Sequence, residues 1–185
     1  MLSVIIPTHD SERALVSTLA VLVPGVTAGV VSEVLIADGG SHDDTAAVAE
    51  VAGCKFLRDD GPLDRRLKAA AATARAQWLM FLRPGTIIDP AWTDEAGRFL
   101  EDASPDAAAV FRRRAAAQPG LREAMSLVMA ALGARPRPEQ GLIISKRLYD
   151  ALGGHSERAA DPETDLLRRI GRRRIVRLAS GAGVR

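Results

Sequence analysis

Residues 33–41 read EVLIADGGS: five mainly apolar residues, then a carboxylate, two glycines and a serine. A run that short, stopped by a turn cluster, is a buried strand closed by Asp38-Gly39-Gly40-Ser41. The same pattern stands on either side. Upstream, Leu2–Ile6 is a branched run, and Ser11–Val23 carries apolar residues at helical spacing as far as Pro24-Gly25. Downstream, Asp43–Ala52 is helical, with acids in a first turn where the helix dipole favours them, and Gly53 ends it. Cys54–Leu57 is a third strand and Leu63–Ala76 an alanine-rich helix. Trp78–Leu82 (WLMFL) is a fully buried fourth strand, broken by Arg83-Pro84-Gly85. The order β-α-β-α-β-α-β within about 85 residues is that of a parallel sheet with helices on both faces.

The second half is less regular. A helix follows Asp89-Pro90, read as a cap with proline in the first turn. Ala107–Arg112 is a strand and Gly120–Leu132 an amphipathic helix. Pro136 and Pro138 mark a loop before a strand at Gly141–Ser145. Lys146–Leu152 is helical and ended by Gly153-Gly154; a helix at Glu163–Ile170 and a short strand at Arg174–Leu178 follow. There is no internal repeat, and 185 residues suit one domain. In open α/β sheets ligands bind beyond the carboxyl ends of the strands, so the loops there are where chemistry is sought.

Composition narrows the class. Hydrophobic residues at 47% and charged residues at 26% exclude a disordered or fibrous chain. The single cysteine, Cys54, permits no internal disulfide, and His9, His42 and His155 have no zinc-ligand spacing, so a reduced, cytoplasmic setting fits. Met1–Pro7 lacks the basic start of a signal peptide. Ala14–Ser32 has no charge over 19 residues, long enough to span a bilayer. Pro24-Gly25, Gly29 and four hydroxyl residues divide it instead into a helix ending near Val23 and a loop, and the soluble reading follows. Residues 1–60 hold nine acids and three bases, net −6; Asp165–Arg185 holds seven arginines and one acid, net +6. Arg168–Arg177 reads either as the solvated face of a chain with 22 arginines to 3 lysines, or as a peripheral contact with anionic lipid at the inner face of the membrane. Nucleic acid is disfavoured: seven aromatic residues form no stacking platform along the basic run.

Five segments, in order, carry a resemblance: SVIIPTHDSERALVSTL, EVLIADGGSHDDT, WLMFL, GLIISKRLYDALGGHSE and ETDLLRRIGRRR. From Leu2 to about Leu178 the chain resembles a family 2 glycosyltransferase of the GT-A fold, most of all its short bacterial members. The resemblance implies a Rossmann-like α/β three-layer sandwich with a mostly parallel sheet. Residues 1–88 would be its nucleotide-binding half and 89–185 its acceptor-side half. The implied activity is transfer of a sugar from a nucleotide-diphosphate sugar, in the first place a UDP-sugar, to a hydroxyl acceptor, either a glycan or a lipid-linked acceptor.

It also implies roles. The turn Pro7-Thr8-His9-Asp10 would hold base and ribose; read alone, it is a capped helix start with Asp10 or Ser11 as N-cap. Asp38 would accept hydrogen bonds from the nucleoside while Gly39-Gly40 let the backbone approach it, the alternative being a tight strand-to-helix turn. Asp43 and Asp44 are better explained as first-turn helix acids. Arg65 and Lys68, with Arg66 between them, stand where the family places an arginine and an asparagine, and cations there could meet a diphosphate. Glu163 in Pro162-Glu163-Thr164-Asp165 occupies the place of the family's general base, with Asp165 available to position Arg168 or Arg169. Glu139-Gln140-Gly141 resembles an Asp-Gln-Gly bordering the acceptor, Gly153-Gly154 a turn near the sugar, and His155 stands where an aromatic residue is common.

One departure decides the chemistry. After the fourth strand the family carries Asp-x-Asp, whose carboxylates hold Mg²⁺ or Mn²⁺ on the donor diphosphate. Here the positions read Arg83-Pro84-Gly85, and a guanidinium repels a hard cation that needs oxygen ligands. No metal ligand is therefore assigned. Two readings stand open: Arg83 supplies the fixed positive charge of a metal-independent transferase, or the chain is a non-catalytic nucleotide- or partner-binding module on an inherited fold. A nucleotidyltransferase would need a glycine-rich, lysine-bearing loop after the first strand, and Pro7–Arg13 has no glycine.

Overall fold

The structure, a computed structural model, describes residues 1–114 and 135–184. Its centre is a mixed sheet of eight strands: β1 Leu2–Thr8, β2 Val31–Asp38, β3 Lys55–Arg58, β4 Trp78–Phe81, β5 Thr86–Ile88, β6 Ala108–Arg113, β7 Leu142–Ser145 and β8 Ile175–Val184. Among the described residues six α-helices accompany them: α1 Glu12–Thr27, α2 Thr45–Val51, α3 Leu63–Thr73, α4 Trp92–Asp102, α5 Lys146–Ala151 and α6 Pro162–Ile170. The strand order is β3-β2-β1-β4-β7-β6-β8-β5. β1 pairs in parallel with β2 and β4, and β2 with β3, while β7 runs against both β4 and β6. β8 is parallel to β6 and antiparallel to β5.

Strand alternation sorts the core into two layers. Val4, Ile6, Trp78, Met80 and Ile143 face one layer with Leu15 and Leu22 of α1, Ala49 of α2, and Trp92 and Ala96 of α4. Ile5, Leu79, Phe81, Leu142 and Ile144 face the other with Leu67, Ala70 and Ala71 of α3, Leu148 and Tyr149 of α5, and Leu166, Leu167 and Ile170 of α6. This is the expected three-layer α/β sandwich with a mostly parallel sheet. Its first four strands fall within two residues of the sequence reading.

Several elements differ from expectation, each for a physical reason. α1 does not stop near Val23 but runs through Pro24 to Thr27. Proline removes one helical donor there; the neighbouring carbonyl of Val21 accepts from the indole Nε1 of buried Trp92 at 3.1 Å, and packing holds the last turn in place. Among the described residues no helix is long and apolar enough to cross a membrane. α2 begins at Thr45, so Asp43 and Asp44 precede it rather than occupying its first turn. α3 ends at Thr73, three residues early. Asp89 does not cap α4, whose N-cap is Ala91; its carboxylate accepts from the Gly181 amide at 2.8 Å instead. β5 was not expected, because its three residues directly follow Pro84-Gly85. β8 extends to Val184, since pairing with β5 and β6 holds a Ser-Gly-Ala-Gly stretch of low strand propensity. The helix expected at Gly120–Leu132 lies outside the described residues.

Candidate active site

The loops after β1 and β2 form one hydrogen-bonded unit. Asp38 ends β2 wholly buried and facing inward. Its Oδ1 accepts from the hydroxyls of Thr8, at 2.8 Å, and of Ser41. Its Oδ2 accepts from the amides of Gly40 at 2.9 Å and Ser41 at 2.8 Å. Burial opposes its ionisation, yet these bonds outweigh burial and hold the carboxyl below its ordinary value. All four bonds are internal to the loops, so Asp38 as placed is a strut. The Asp10 amide donates to Ser41 Oγ at 2.9 Å, and Asp10 Oδ1 accepts from the His42 amide at 2.7 Å. Asp10 adopts φ 46°, a left-handed conformation that a non-glycine residue keeps only where its surroundings demand it.

The start of α1 is capped from the neighbouring loop. Ser11 is the N-cap but makes no side-chain cap bond, its hydroxyl donating to the His9 carbonyl. The amide of Glu12 is instead taken by Asp43 Oδ2 at 3.0 Å, and that of Ser11 by Thr45 Oγ1 at 3.0 Å. Pro7 is tolerated inside a central strand because β4 pairing ends at Ile5, whose carbonyl takes the Leu82 amide at 3.1 Å before the chain turns away at Arg83.

The two neighbouring arginines of α3 part company. Arg65 is largely exposed and forks onto Asp59 at the end of β3, its Nε donating to Asp59 Oδ2 at 2.8 Å. Arg66 turns under the paired loops and donates from Nη1 to the carbonyls of Thr8 and Ala37, both at 2.9 Å. A Cβ on Gly39 would lie 2.7 Å from that guanidinium, so the absent side chain admits Arg66. The sequence groups Arg66 with Arg65 and Lys68 as cations that could meet a diphosphate; it instead stands three residues after Leu63 and four before Ala70, on the buried face of α3, and binds backbone carbonyls. Lys68 faces Glu157 at 3.9 Å.

Arg83 and Glu163, eighty positions apart, meet. Arg83 Nε and Nη2 donate to Glu163 Oε2 at 2.9 and 2.6 Å, and Nη1 donates to Glu139 Oε1 at 3.1 Å. Glu163 lies in the first turn of α6, whose N-cap Asp161 accepts from the Thr164 amide at 3.0 Å. Glu139 lies in a 3-10 turn, Pro138–Gln140, anchored by buried Gln140 donating to the Phe111 carbonyl at 2.6 Å. The Glu163 side chain is 12% exposed. Burial raises its carboxyl above the ordinary value, against the pull of Arg83 and helped by the charges of Asp161 and Glu139. Arg83 moves upward in spite of burial, because Glu163 binds it. Pairing alone would lower Glu163, so here desolvation is the larger effect.

α6 also borders a cleft of about 520 Å³ lined by Lys68, Gly154, Ser156, Arg158, Asp165 and Arg169. Asp165 pairs with both Arg168 at 2.9 Å and Arg169 at 2.7 Å. Arg169 donates to the carbonyls of Leu152 and Gly154, both at 2.6 Å, fastening α6 to the Gly153-Gly154 turn. His155 is buried, its Nδ1 2.9 Å from the Tyr149 hydroxyl and its ring edge-on to Phe81. Burial first, then the charges of Arg169 and Lys68, push its pKa down to about 3, so it serves as a neutral packing group.

The Mg²⁺ or Mn²⁺ that the resemblance implies does not fit the residues present. Arg83-Pro84-Gly85 offers no carboxylate, and the nearest acids, Glu139 and Glu163, both turn to the guanidinium. Among the described residues no group of three or more His, Cys, Asp or Glu is arranged to hold a metal ion.

Comparison with solved structures places this architecture. Glucosyl-3-phosphoglycerate synthase from Mycobacterium tuberculosis, in complex with Mn²⁺, UDP and glucosyl-3-phosphoglycerate, superposes with TM-score 0.72 at 19% identity, over 100% of this chain and 72% of that one. The same enzyme with Mn²⁺ and UDP-glucose gives 0.71 at 20% identity, over 100% and 71%. S. aureus TarS 1-349 gives 0.69 at 16% identity, over 96% of this chain and 58% of that one. At these identities the likeness concerns the fold, GT-A. No curated protein matches the chain. The sequence profile described as Glycosyl transferase family 2 matches residues 3–163, and the chain belongs to that family.

Proposed function

We propose that the protein transfers a sugar from a nucleotide-diphosphate sugar, first of all a UDP-sugar, to a hydroxyl acceptor, with Arg83 in place of a metal ion. The observation that carries this reading is the Arg83 guanidinium, fixed at the carboxyl end of β4 and touching the buried carboxylate of Glu163. A guanidinium there offsets the negative charge that builds on the leaving diphosphate. The acceptor hydroxyl gives its proton to Glu163 as its oxygen bonds to the anomeric carbon. The bond from that carbon to the diphosphate oxygen breaks, and the electron pair leaves with the nucleotide. Pro7, Thr8, Asp10 and Gly39 would line the nucleoside, and Asp38 would hold that lining in shape. Arg65 would reach the diphosphate only by leaving Asp59. The ligands bound by the M. tuberculosis enzyme, UDP-glucose and phosphoglyceric acid, support a sugar nucleotide and a hydroxyl acceptor by analogy of fold. Peripheral contact with anionic lipid through Arg168–Arg177 belongs to the same reading as a route to a lipid-linked acceptor.

Calorimetric titration with UDP and UDP-glucose, in Mn²⁺ and in EDTA, tests it. The expected result is binding indifferent to EDTA and lost in Arg83→Ala. Binding that requires Mn²⁺ and survives Arg83→Ala would refute the role of Arg83. The saturation of Asp38 by its own loops favours a second reading, a non-catalytic nucleotide-binding module. That reading expects UDP-glucose to bind and never to be consumed, with or without acceptors.

A further inference from the structure

Arg83 makes its contacts in a way that the donor must disturb. Two of its nitrogens converge on one oxygen of Glu163 and the third reaches Glu139. A diphosphate that recruits this guanidinium competes for the donors that now hold Glu163. The structure supplies a fallback partner: Glu139 is 45% exposed and can exchange its contact with water, whereas Glu163 is nearly enclosed. The charged groups around Glu163 are Arg83 at the end of β4, Glu139 before β7, and Asp161 at the N-cap of its own helix. Once Arg83 is taken, the charges beside it among the described residues are the anions Glu139 and Asp161, together with the positive end of α6.

Resting on the donor reading above, we propose that Arg83 is a latch shared between Glu163 and the donor diphosphate. Without donor it neutralises the carboxylate; when the diphosphate draws it off, Glu163 is released as a strong base among like charges. The base is thus armed by the arrival of the donor. An isolated carboxylate in a desolvated, anionic setting gains proton affinity, and a general base works best with its pKa near the working pH. In the complexes where Glu163 is still deprotonated, it then takes its proton from the acceptor hydroxyl, and no other reactant is needed.

Proton uptake on donor binding reads this directly. UDP-glucose is titrated into the full chain near pH 6.5 in PIPES and in imidazole, two buffers of different ionisation enthalpy. Its diphosphate is a diester with no group titrating near neutrality, so any buffer-dependent heat reports protons taken by the protein. The latch predicts uptake on the order of 0.5 proton per UDP-glucose bound. In Glu163→Gln, which still binds, uptake falls to zero. Binding without uptake in the unaltered chain, or equal uptake in Glu163→Gln, overturns the latch and leaves the donor reading intact. Failure of UDP-glucose to bind at all overturns both.

Discussion

Replacing Asp38 by alanine separates a strut from a ligand. The carboxylate is fully buried and accepts from two amides at 2.8–2.9 Å and two hydroxyls. The hydroxyls of Thr8 and Ser41 can re-aim, but the amides of Gly40 and Ser41 cannot. Each orphaned buried donor costs about 1–3 kcal/mol, so the pair with the small cavity should cost about 3–5 kcal/mol. That is a large share of a typical domain stability of about 5–15 kcal/mol. With a urea m-value near 2 kcal/mol/M, the unfolding midpoint should fall by about 1.5–2.5 M. Asp38→Asn keeps one oxygen for the two amides and trades charge-assisted bonds for neutral ones, at about 1–2 kcal/mol. The pH dependence has a definite sign. The folded carboxyl lies below its ordinary value of 3.8, so its stabilisation is present above that value and is lost as pH falls through the folded one. The unaltered chain should therefore weaken below about pH 4 more steeply than Asp38→Asn. Urea titrations monitored by tryptophan fluorescence, paired with UDP-glucose binding, decide the matter. If Asp38→Ala unfolds within about 0.3 M of the unaltered chain while binding disappears, the carboxylate is a direct ligand and the strut argument is wrong.

Two further outcomes concern the layers that carry the site. Gly25→Ala gains about 1 kcal/mol of helix propensity, yet its Cβ would lie 2.4 Å from Cη2 of Trp92, a ring pinned by its bond to Val21. Overpacking should win, giving a net loss of about 1–3 kcal/mol in thermal or urea unfolding; a more stable variant would show that Trp92 moves freely. The Tyr149→Phe, His155→Phe double replacement removes both side-chain partners of a buried bond, leaves only the long 3.4 Å bond of the His155 amide unmet, and should cost no more than about 1 kcal/mol at pH 7. Folded His155 has a pKa of about 3 against an ordinary 6.5, so below 6.5 the unfolded chain binds a proton that the folded chain refuses. Stability therefore falls as pH drops from 6.5 towards 3, by several kcal/mol at about 1.4 kcal/mol per unit. The double variant should lose that slope between pH 6.5 and 4, and an unchanged slope would place the acid sensitivity elsewhere.

What could be read from the sequence follows the range of the interactions. Unbroken apolar runs in WLMFL and SVIIP define strands that bury both faces, and those strands lie close to their expected limits. β5 escaped because three residues carry no periodicity, and β8 was cut short because Ser180–Gly183 has no strand preference of its own. Pro24 reads as a stop because its local effect is to break a helix; the indole that packs beside this turn and takes the Val21 carbonyl comes from residue 92. The same division holds at the site. Arg83 and Glu163 stood out by their positions in ordered segments, but their pairing spans the sheet and leaves no local trace. Asp38 was visible as a polar strand end, while the Thr8 hydroxyl that turns it inward lies thirty residues away. Arg66 carried a legible signal, a cation on the apolar face of an alanine-rich helix, which points to a buried guanidinium with carbonyl partners.

The strand that follows Arg83 carries a consequence for synthesis. Among the described residues, β5 has no ladder partner except β8, and Asp89 just beyond it is tied to Gly181, 92 residues later in the chain. At ribosomal rates of about 5–20 residues per second, roughly 5–20 s pass between the emergence of the two. For that interval the parallel half of the sheet can assemble, and the segment leaving Arg83 can rest on α1, where the Gly85 amide donates to the Ala14 carbonyl at 3.0 Å, but its ladder partner is missing. Its edge stays open to any unfolded neighbour. Pairing of the strand after Arg83 is therefore timed by the arrival of β8, and a nascent chain cannot present a finished site before Ile175–Val184 has left the ribosome.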